Sequence, residues 1–358
     1  MIKKTQLVLD TATDVYELLK PWQDASFFNF AKHVETNQLL PNAIYILGEM
    51  QFSLNIDKII DLVNKNIIKV IYSNAYEGSE YHCNACRYLK ISELVKQKKI
   101  LLITGGNMPS EYSALPYELT LAAMLDYEEN LHAIKEYQQQ YTTVRPYKFL
   151  FLNGRARPHR KYLMHNLQDE LTHAIWTNLD PEGGQIRILD PRHEFCHVSE
   201  SVKNNKNYLN AQYFFSKNQF GERYLKSNAY NETYFSLVGE TVFNFEYSFR
   251  SEKIWKPVAI GHPWIAAASA GFYRDIHNMG FQSFGHLIDE SFDQIDNNQD
   301  RLARIVTVVK DLCQQDLVSF LEACYNTCMY NQQHLADMRM TVRQEFPDRF
   351  SKFIDYFI

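Results

Sequence analysis

The sequence predicts an α/β protein of two parallel-sheet domains followed by C-terminal helices. Three observations predict it. A chain of 358 residues exceeds the size at which one hydrophobic core usually stops growing. Short apolar strands alternate with amphipathic helical stretches, the pattern of parallel strands joined by crossover helices. The alternation then begins afresh after residues 141–146, which read as a linker. The expected domains are residues 1–145 and 146–358, facing one another across a cleft.

In the first half, residues 43–47 read as a strand closed by Gly48 and Glu49. Ile56, Ile59, Ile60 and Val63 then recur at helical spacing, and 67–72 is a second strand. A helical stretch over 86–96 leads to a strand over 100–104, closed by Gly105 and Gly106. One long helix is expected over about 117–140. In the second half 147–152 is a strand, and Pro158 opens a helix to about residue 170, since proline suits the first helical turn. Residues 174–178 read as a strand, and 180–228, rich in Asn, Gly and Lys, as an irregular insertion. A strand over 234–238, a helix over 252–260, a strand over 263–268 and helices from about residue 300 complete the order.

Composition narrows the class. Apolar residues form 46% and charged residues 22% of the chain, the balance of a globular protein with a large core. A net charge of −5 argues against a surface that clings throughout to nucleic acid or anionic membrane, but allows a local basic groove. No apolar run reaches the roughly 18 residues of a membrane helix. The N-terminus turns acidic at once (Asp10, Asp14), unlike a signal peptide, so a cytoplasmic location is expected. Cys83 and Cys86 form a C-x-x-C after His82. A zinc site needs a second pair, and Cys324 and Cys328 are spaced for adjacent helical turns, so the cysteines are read as ordinary thiols.

Ligands of open parallel sheets sit beyond the carboxyl ends of the strands, which directs attention to three segments. Residues 153–161 follow a strand and open a helix. Between Arg145 and Lys161 stand six Arg or Lys and no Asp or Glu. A helix N-terminus offers free N–H groups and positive potential, and guanidinium groups grip phosphate oxygens in pairs. The segment therefore reads as a diphosphate site. The second comprises Glu240 and Thr241 with residues 250–257. Glu240 ends a strand, Ser251 caps a helix, and Glu252 and Lys253 occupy its first turn. A carboxylate there can accept ribose hydroxyls, and a lysine at a helix start can neutralise phosphate. The third, residues 73–80, follows a strand and carries Glu77.

The first two segments, in this order, resemble the donor domain of the fucosyltransferase family, whose members have the GT-B fold and use GDP-fucose. The family shows S-N-C-x-A-R-x-x-R opening a helix. Asn153, Ala156, Arg157 and Arg160 stand at matching positions, with Gly154 in place of Cys. It then shows F-E-N and I-T-E-K-L-W, which residues 238–241 and 250–255 resemble, with Thr241 in place of Asn and Ser251 in place of Thr. The likeness covers roughly residues 147–290 apart from 180–228. It implies a GT-B fold of two Rossmann-like domains and a nucleotide-diphosphate-sugar donor held by Asn153, Arg157, Arg160, Glu240, Ser251, Glu252 and Lys253. Arg160 and Lys253 would hold the diphosphate, and Glu240 and Glu252 would contact ribose and sugar. Replacing Arg160 or Lys253 is expected to weaken donor binding and leave the fold intact.

An inverting transfer needs a carboxylate to take the proton of the acceptor hydroxyl. The family supplies it from an E-S-P motif; here residues 76–79 are similar in placement without the proline, so Glu77 is the candidate base, with Glu49 and Glu80 as competitors. No Asp-x-Asp stands where a cation would bridge phosphates, so neither metal nor cofactor is expected. The stretch 280–292 also resembles uncharacterised phage-encoded proteins, which sets a modified, hydroxymethylated base of phage DNA beside a glycan as acceptor. Two other readings compete. One is a nucleic-acid-binding protein using the Arg145–Lys161 stripe without catalysis; the other is an epimerase of another two-Rossmann family.

Overall fold

The computed structural model describes residues 6–9, 29–31, 44–47, 49–74, 85–138, 144–154, 157–177, 225–244 and 247–355. The chain gathers into two compact units. One comprises Met1–Leu119, Phe245–Phe249 and Met340–Ile358; the other comprises Thr120–Asn244 and Arg250–Arg339.

The first unit holds a six-stranded parallel sheet. Its strands are β1 (Gln6–Leu9), β2 (Asn29–Ala31), β3 (Ile44–Leu47), β4 (Lys69–Asn74), β5 (Ile100–Thr104) and, after the two-residue β6 (Gly106–Asn107), β7 (Ala114–Pro116). Their order is β2-β1-β3-β4-β5-β7. The apolar runs of β3 and β5 are buried along their whole length, as expected of parallel strands covered on both faces. Helix α1 (Glu49–Asn64) and helix α2 (Ala85–Lys96) alternate with β3, β4 and β5. Both end alike: Asn66 and Lys98 take left-handed backbone, with φ of 55° and 60°. The next amide reaches back to a carbonyl five residues earlier, Ile67 to Leu62 and Lys99 to Leu94. These caps satisfy helix-end carbonyls and turn the chain directly into the following strand.

The second unit holds a four-stranded parallel sheet of β8 (Tyr147–Phe151), β9 (Ile175–Trp176), β10 (Thr233–Gly239) and, after β11 (Ser248–Phe249), β12 (Trp264–Ala267), in the order β12-β10-β8-β9. Strand β11 itself belongs to the first unit, where it pairs antiparallel with β6. A side chain at Gly106 would place its Cβ 1.9 Å from the Ser248 carbonyl, so this pairing requires glycine.

The helix expected over about 117–140 is two, α3 (Leu119–Ala123) and α4 (Glu128–Gln138). Asn130 separates them by donating its side-chain amide to the Met124 carbonyl at 2.8 Å. The helix expected from Pro158 to about 170 likewise divides into α5 (Pro158–Asn166) and α6 (Gln168–Leu171) at Leu167. Then follow α7 (Ser227–Asn231), α8 (Glu252–Ile260), α9 (Phe272–Asn278), α10 (Asn298–Cys313) and α11 (Leu317–Ile354). Phe149 of β8 stacks on Phe235 of β10 at 5.4 Å, and Phe320 meets Phe235 edge-on at 6.3 Å, the preferred geometries of aromatic cores. Buried Arg145 ties this core to the start of β10, donating to the Tyr137 hydroxyl and to the Tyr230 and Thr233 carbonyls.

The strand order places the switch of this sheet. From β8 the chain crosses to β9 on one side, then returns to β10 on the other, so the connections diverge between β8 and β10. The crevice beyond their carboxyl ends is where such sheets bind ligands.

Candidate functional site

At that crevice, the turns after β8 and β10 each feed a helix. Helix α5 begins at Arg157, whose backbone is extended and whose side chain does not cap, with Pro158 in the first helical position. Helix α8 begins at Ser251, whose hydroxyl accepts the Lys253 amide at 3.2 Å, an ordinary N-cap. Gly261, at φ 78°, closes its other end; a side chain there would be strained.

The sequence-predicted residues of both segments come together here. Arg160 donates through Nε and Nη2 to the Gly239 carbonyl at 3.0 and 2.7 Å, and through Nη2 to the Glu240 carbonyl at 3.2 Å. His159 Nε2 lies 2.9 Å from the same Glu240 carbonyl; because a carbonyl only accepts, this nitrogen carries the proton. Arg157 donates to the Thr241 carbonyl. Consecutive carbonyls at the end of β10 are thus held by basic side chains from α5 and its N-cap. Gly239 allows the approach: a Cβ there would lie 3.1 Å from Arg160 Cγ and 3.3 Å from Asn153 Oδ1. Asn153 is buried, its amide donating to the Phe151 carbonyl at 3.4 Å and its backbone amide to Thr177 at 2.8 Å.

Glu240 is a latch between strand and helix. One carboxylate oxygen accepts the Thr241 amide at 2.8 Å and the Ser251 hydroxyl at 2.7 Å; the other accepts the Ser251 amide at 3.1 Å. The residue has no exposed surface. Burial raises its pKa, against the lowering influence of nearby Lys253. Burial also pushes His159 well below its usual range, with the Arg160 charge adding to the effect, so His159 is neutral at pH 7. Lys253 stands at the open edge, 23% exposed, with Nζ 2.6 Å from Glu252 Oε1 and 3.5 Å from the Thr241 hydroxyl. Burial raises the Glu252 pKa, but Lys253 and then Lys256 outweigh it and hold the group below its ordinary value.

The two basic residues expected to act alike therefore differ. Arg160 is 1% exposed and bonded to backbone carbonyls, so its removal would take both guanidinium bonds from the buried Gly239 carbonyl and damage the fold. Lys253 is half-buried, and its ammonium bonds side chains, Glu252, Thr241 and Ser251, in place of backbone carbonyls. The Arg145–Lys161 stripe is not one solvent face, because Arg145, Arg157 and Arg160 are all buried and Lys148 donates to the Cys313 carbonyl at 2.9 Å.

Sequence reasoning missed His159 and two further members of the site. Phe243 stacks on the His159 ring at 5.1 Å with 14° between planes. Arg301 of α10 places its guanidinium 4.4 Å from the centre of the Phe243 ring. The position of His159 beside two arginines was a signal of proximity; nothing near Arg301 in sequence marks it.

Glu77 and Glu80 lie outside the described residues, as do His82 and Cys83. Glu49 opens α1 and Cys86 lies in α2, in stretches where only the backbone is described. Cys324 and Cys328 are buried in α11, and burial raises the Cys324 thiol above its ordinary range. Among the described residues no three His, Cys, Asp or Glu side chains form a metal cluster, and no helix is long and apolar enough to cross a membrane.

No protein-family profile and no curated protein matches the chain. Among solved structures, the chain is similar to one described as an α1,3-fucosyltransferase with GDP-fucose, at 10% identity and a TM-score of 0.37, over 91% of this chain and 90% of that one.

Proposed function

We propose that the protein is a GT-B glycosyltransferase that moves a sugar from a nucleotide-diphosphate donor to an acceptor hydroxyl with inversion. The observation that carries this reading is the meeting of two segments 81 residues apart in sequence, His159 with Glu240, at the switch point of a parallel sheet. Both segments bear the donor-domain motif pattern. The unit of Thr120–Asn244 and Arg250–Arg339 takes the donor and the other unit the acceptor, a division that moves 120–145, 245–249 and 340–358 from the domains expected at residue 145.

In this reading Lys253 neutralises the leaving diphosphate, helped by the N-termini of α5 and α8 and by the buried charges of Arg157 and Arg160. Glu240 and Ser251 hold the start of α8 in place, with Asn153 beside them at the end of β8. Glu252, largely buried beside Lys253, contacts ribose or sugar. Glu77 takes the acceptor proton. No metal or cofactor is required, since no Asp-x-Asp motif accompanies the site. The acceptor is a glycan hydroxyl, with a hydroxymethylated DNA base as the other option.

The test is a thermal-shift screen against nucleoside diphosphates and their sugars, followed by product analysis with the donor that binds. A ligand that binds only the folded state at about 100 times its Kd adds about 2.7 kcal/mol of stability. For a domain of this size that is a rise of roughly 5–10 °C. If no nucleotide diphosphate raises the melting temperature and no sugar is transferred, the proposal falls.

A further inference from the structure

We infer that Arg301, which belongs to neither motif segment, is a positioning residue of the donor site; the inference rests on the function proposed above. Arg301 is 1% exposed. A guanidinium has five N–H donors, and here five contacts are made, none to a carboxylate. Nε donates to the Ala268 carbonyl at 3.1 Å. Nη1 donates to the Ile295 and Asp296 carbonyls at 2.6 and 3.2 Å. Nη2 donates to the Phe243 carbonyl at 2.8 Å and to Asn298 Oδ1 at 2.6 Å.

The placement of these acceptors gives the residue its role. Ala268 follows the end of β12, and Phe243 lies in the turn after β10, so one side chain joins the carboxyl ends of two strands to α10. It continues the row in which Arg160 takes the Gly239 and Glu240 carbonyls and Arg157 that of Thr241. Arg301 takes the next carbonyl but one. Its guanidinium carbon also lies over the Phe243 ring, which stacks on the His159 imidazole. His159 in turn holds the Glu240 carbonyl, and the Glu240 carboxylate holds the first residue of the α8 cap. The path from Arg301 to the start of α8, where Lys253 stands, is a continuous set of packed and hydrogen-bonded groups. A cation with every donor used has one geometry available, which suits it to fix a loop beside a ligand.

The experiment compares Arg301→Lys and Arg301→Met with the parent protein. Melting temperature, Kd for the nucleoside diphosphate of the best donor, and kcat and KM are measured at a temperature where each variant is fully folded. A positioning role predicts weaker diphosphate binding per folded molecule and a kcat lower by about ten- to a hundredfold in Arg301→Met, because displacement of about 1 Å is enough to cost that much. Arg301→Lys, which keeps the charge behind Phe243 but cannot reach all five acceptors, should recover part of the loss. A fall in melting temperature with unchanged Kd, kcat and KM in both variants would reduce Arg301 to a structural residue and overturn the inference. Where the Met variant does not fold, the Lys variant and Phe243→Leu, which removes the ring between Arg301 and His159, carry the same test. If the parent protein binds no nucleoside diphosphate, the proposed function has failed; if it binds and the variants bind equally, only the role of Arg301 has.

Discussion

Replacing Ser251 with alanine removes one buried oxygen and three bonds with it, the longest of them from Lys253 Nζ at 3.5 Å. The hydroxyl donates to Glu240 at 2.7 Å and accepts the Lys253 amide at 3.2 Å. Loss of an N-cap side chain costs about 1 kcal/mol. Loss of a hydrogen bond to a charged group costs about 1.5–3 kcal/mol. Ser251 and Glu240 have no exposed surface, so bulk water does not replace either partner, and the sum for Ser251→Ala is about 2–4 kcal/mol. At roughly 2–4 °C per kcal/mol for a domain of this size, the melting temperature should fall by about 5–15 °C. Circular dichroism melts of Ser251→Ala and Ser251→Thr check it, since threonine keeps the oxygen and should melt close to the parent protein. Donor titration at low temperature should show weaker binding in the alanine variant, because the start of α8 is no longer latched to the end of β10. An alanine variant melting within about 2 °C of the parent would show that the Glu240 latch contributes little and would refute the reasoning.

Lys253→Ala should weaken binding of a nucleoside diphosphate by on the order of tenfold or more and shift the melting temperature little, whereas Arg160→Ala should lower the melting temperature because the buried Gly239 carbonyl loses both guanidinium bonds and the Glu240 carbonyl keeps only His159; calorimetric titration and thermal melts separate the two. His262 is buried between the Ser236 hydroxyl and the Thr233 carbonyl, and burial holds its pKa at about 3. The unfolded chain therefore takes up a proton that the fold refuses, so stability present above pH 6.5 should be lost as pH falls toward 3, and His262→Asn should flatten that limb of a melting-temperature profile. Glu290, which accepts Ser283 Oγ and the Phe284 amide, has the opposite sign. Burial raises its pKa to about 7, so its contribution is present below about pH 4.5 and is lost as pH rises to 7, and Glu290→Gln should remove that decline. Glu77→Gln should slow turnover by about 10²–10⁴-fold with donor affinity unchanged, Glu49→Gln and Glu80→Gln serving as controls in steady-state assays; full turnover in all three would sink the inverting carboxylate mechanism.

Much of the architecture was legible because its signals are local. Parallel strands such as β5 are short runs of Ile and Leu, and Pro158 and Ser251 mark helix starts by properties of their own backbone and side chain. The division of the expected long helices was not legible, because Asn130 breaks the first through a bond to Met124 that competes with helical bonding and leaves no trace in periodicity. In the site, the sequence placed Asn153, Arg157, Arg160, Glu240, Ser251, Glu252 and Lys253 at strand ends and helix starts, and the structure brings them to one crevice.

What the sequence by itself determined is which residues stand at the ends of β8 and β10 and at the starts of α5 and α8, since those positions follow from neighbours a few residues away. Only the tertiary structure decided what each side chain faces. Arg160 and Lys253 look equivalent as charges in a basic context, yet one is enclosed among carbonyls and the other is a half-buried side chain paired with Glu252. Glu240 reads as a free carboxylate and instead accepts three donors of its own chain. Arg301 comes 58 residues after the Phe243 carbonyl it holds. Burial and hydrogen-bond pairing depend on crossovers that bring distant segments together, and the same residue type acquires a different role according to whether that packing leaves it water or a carbonyl as partner.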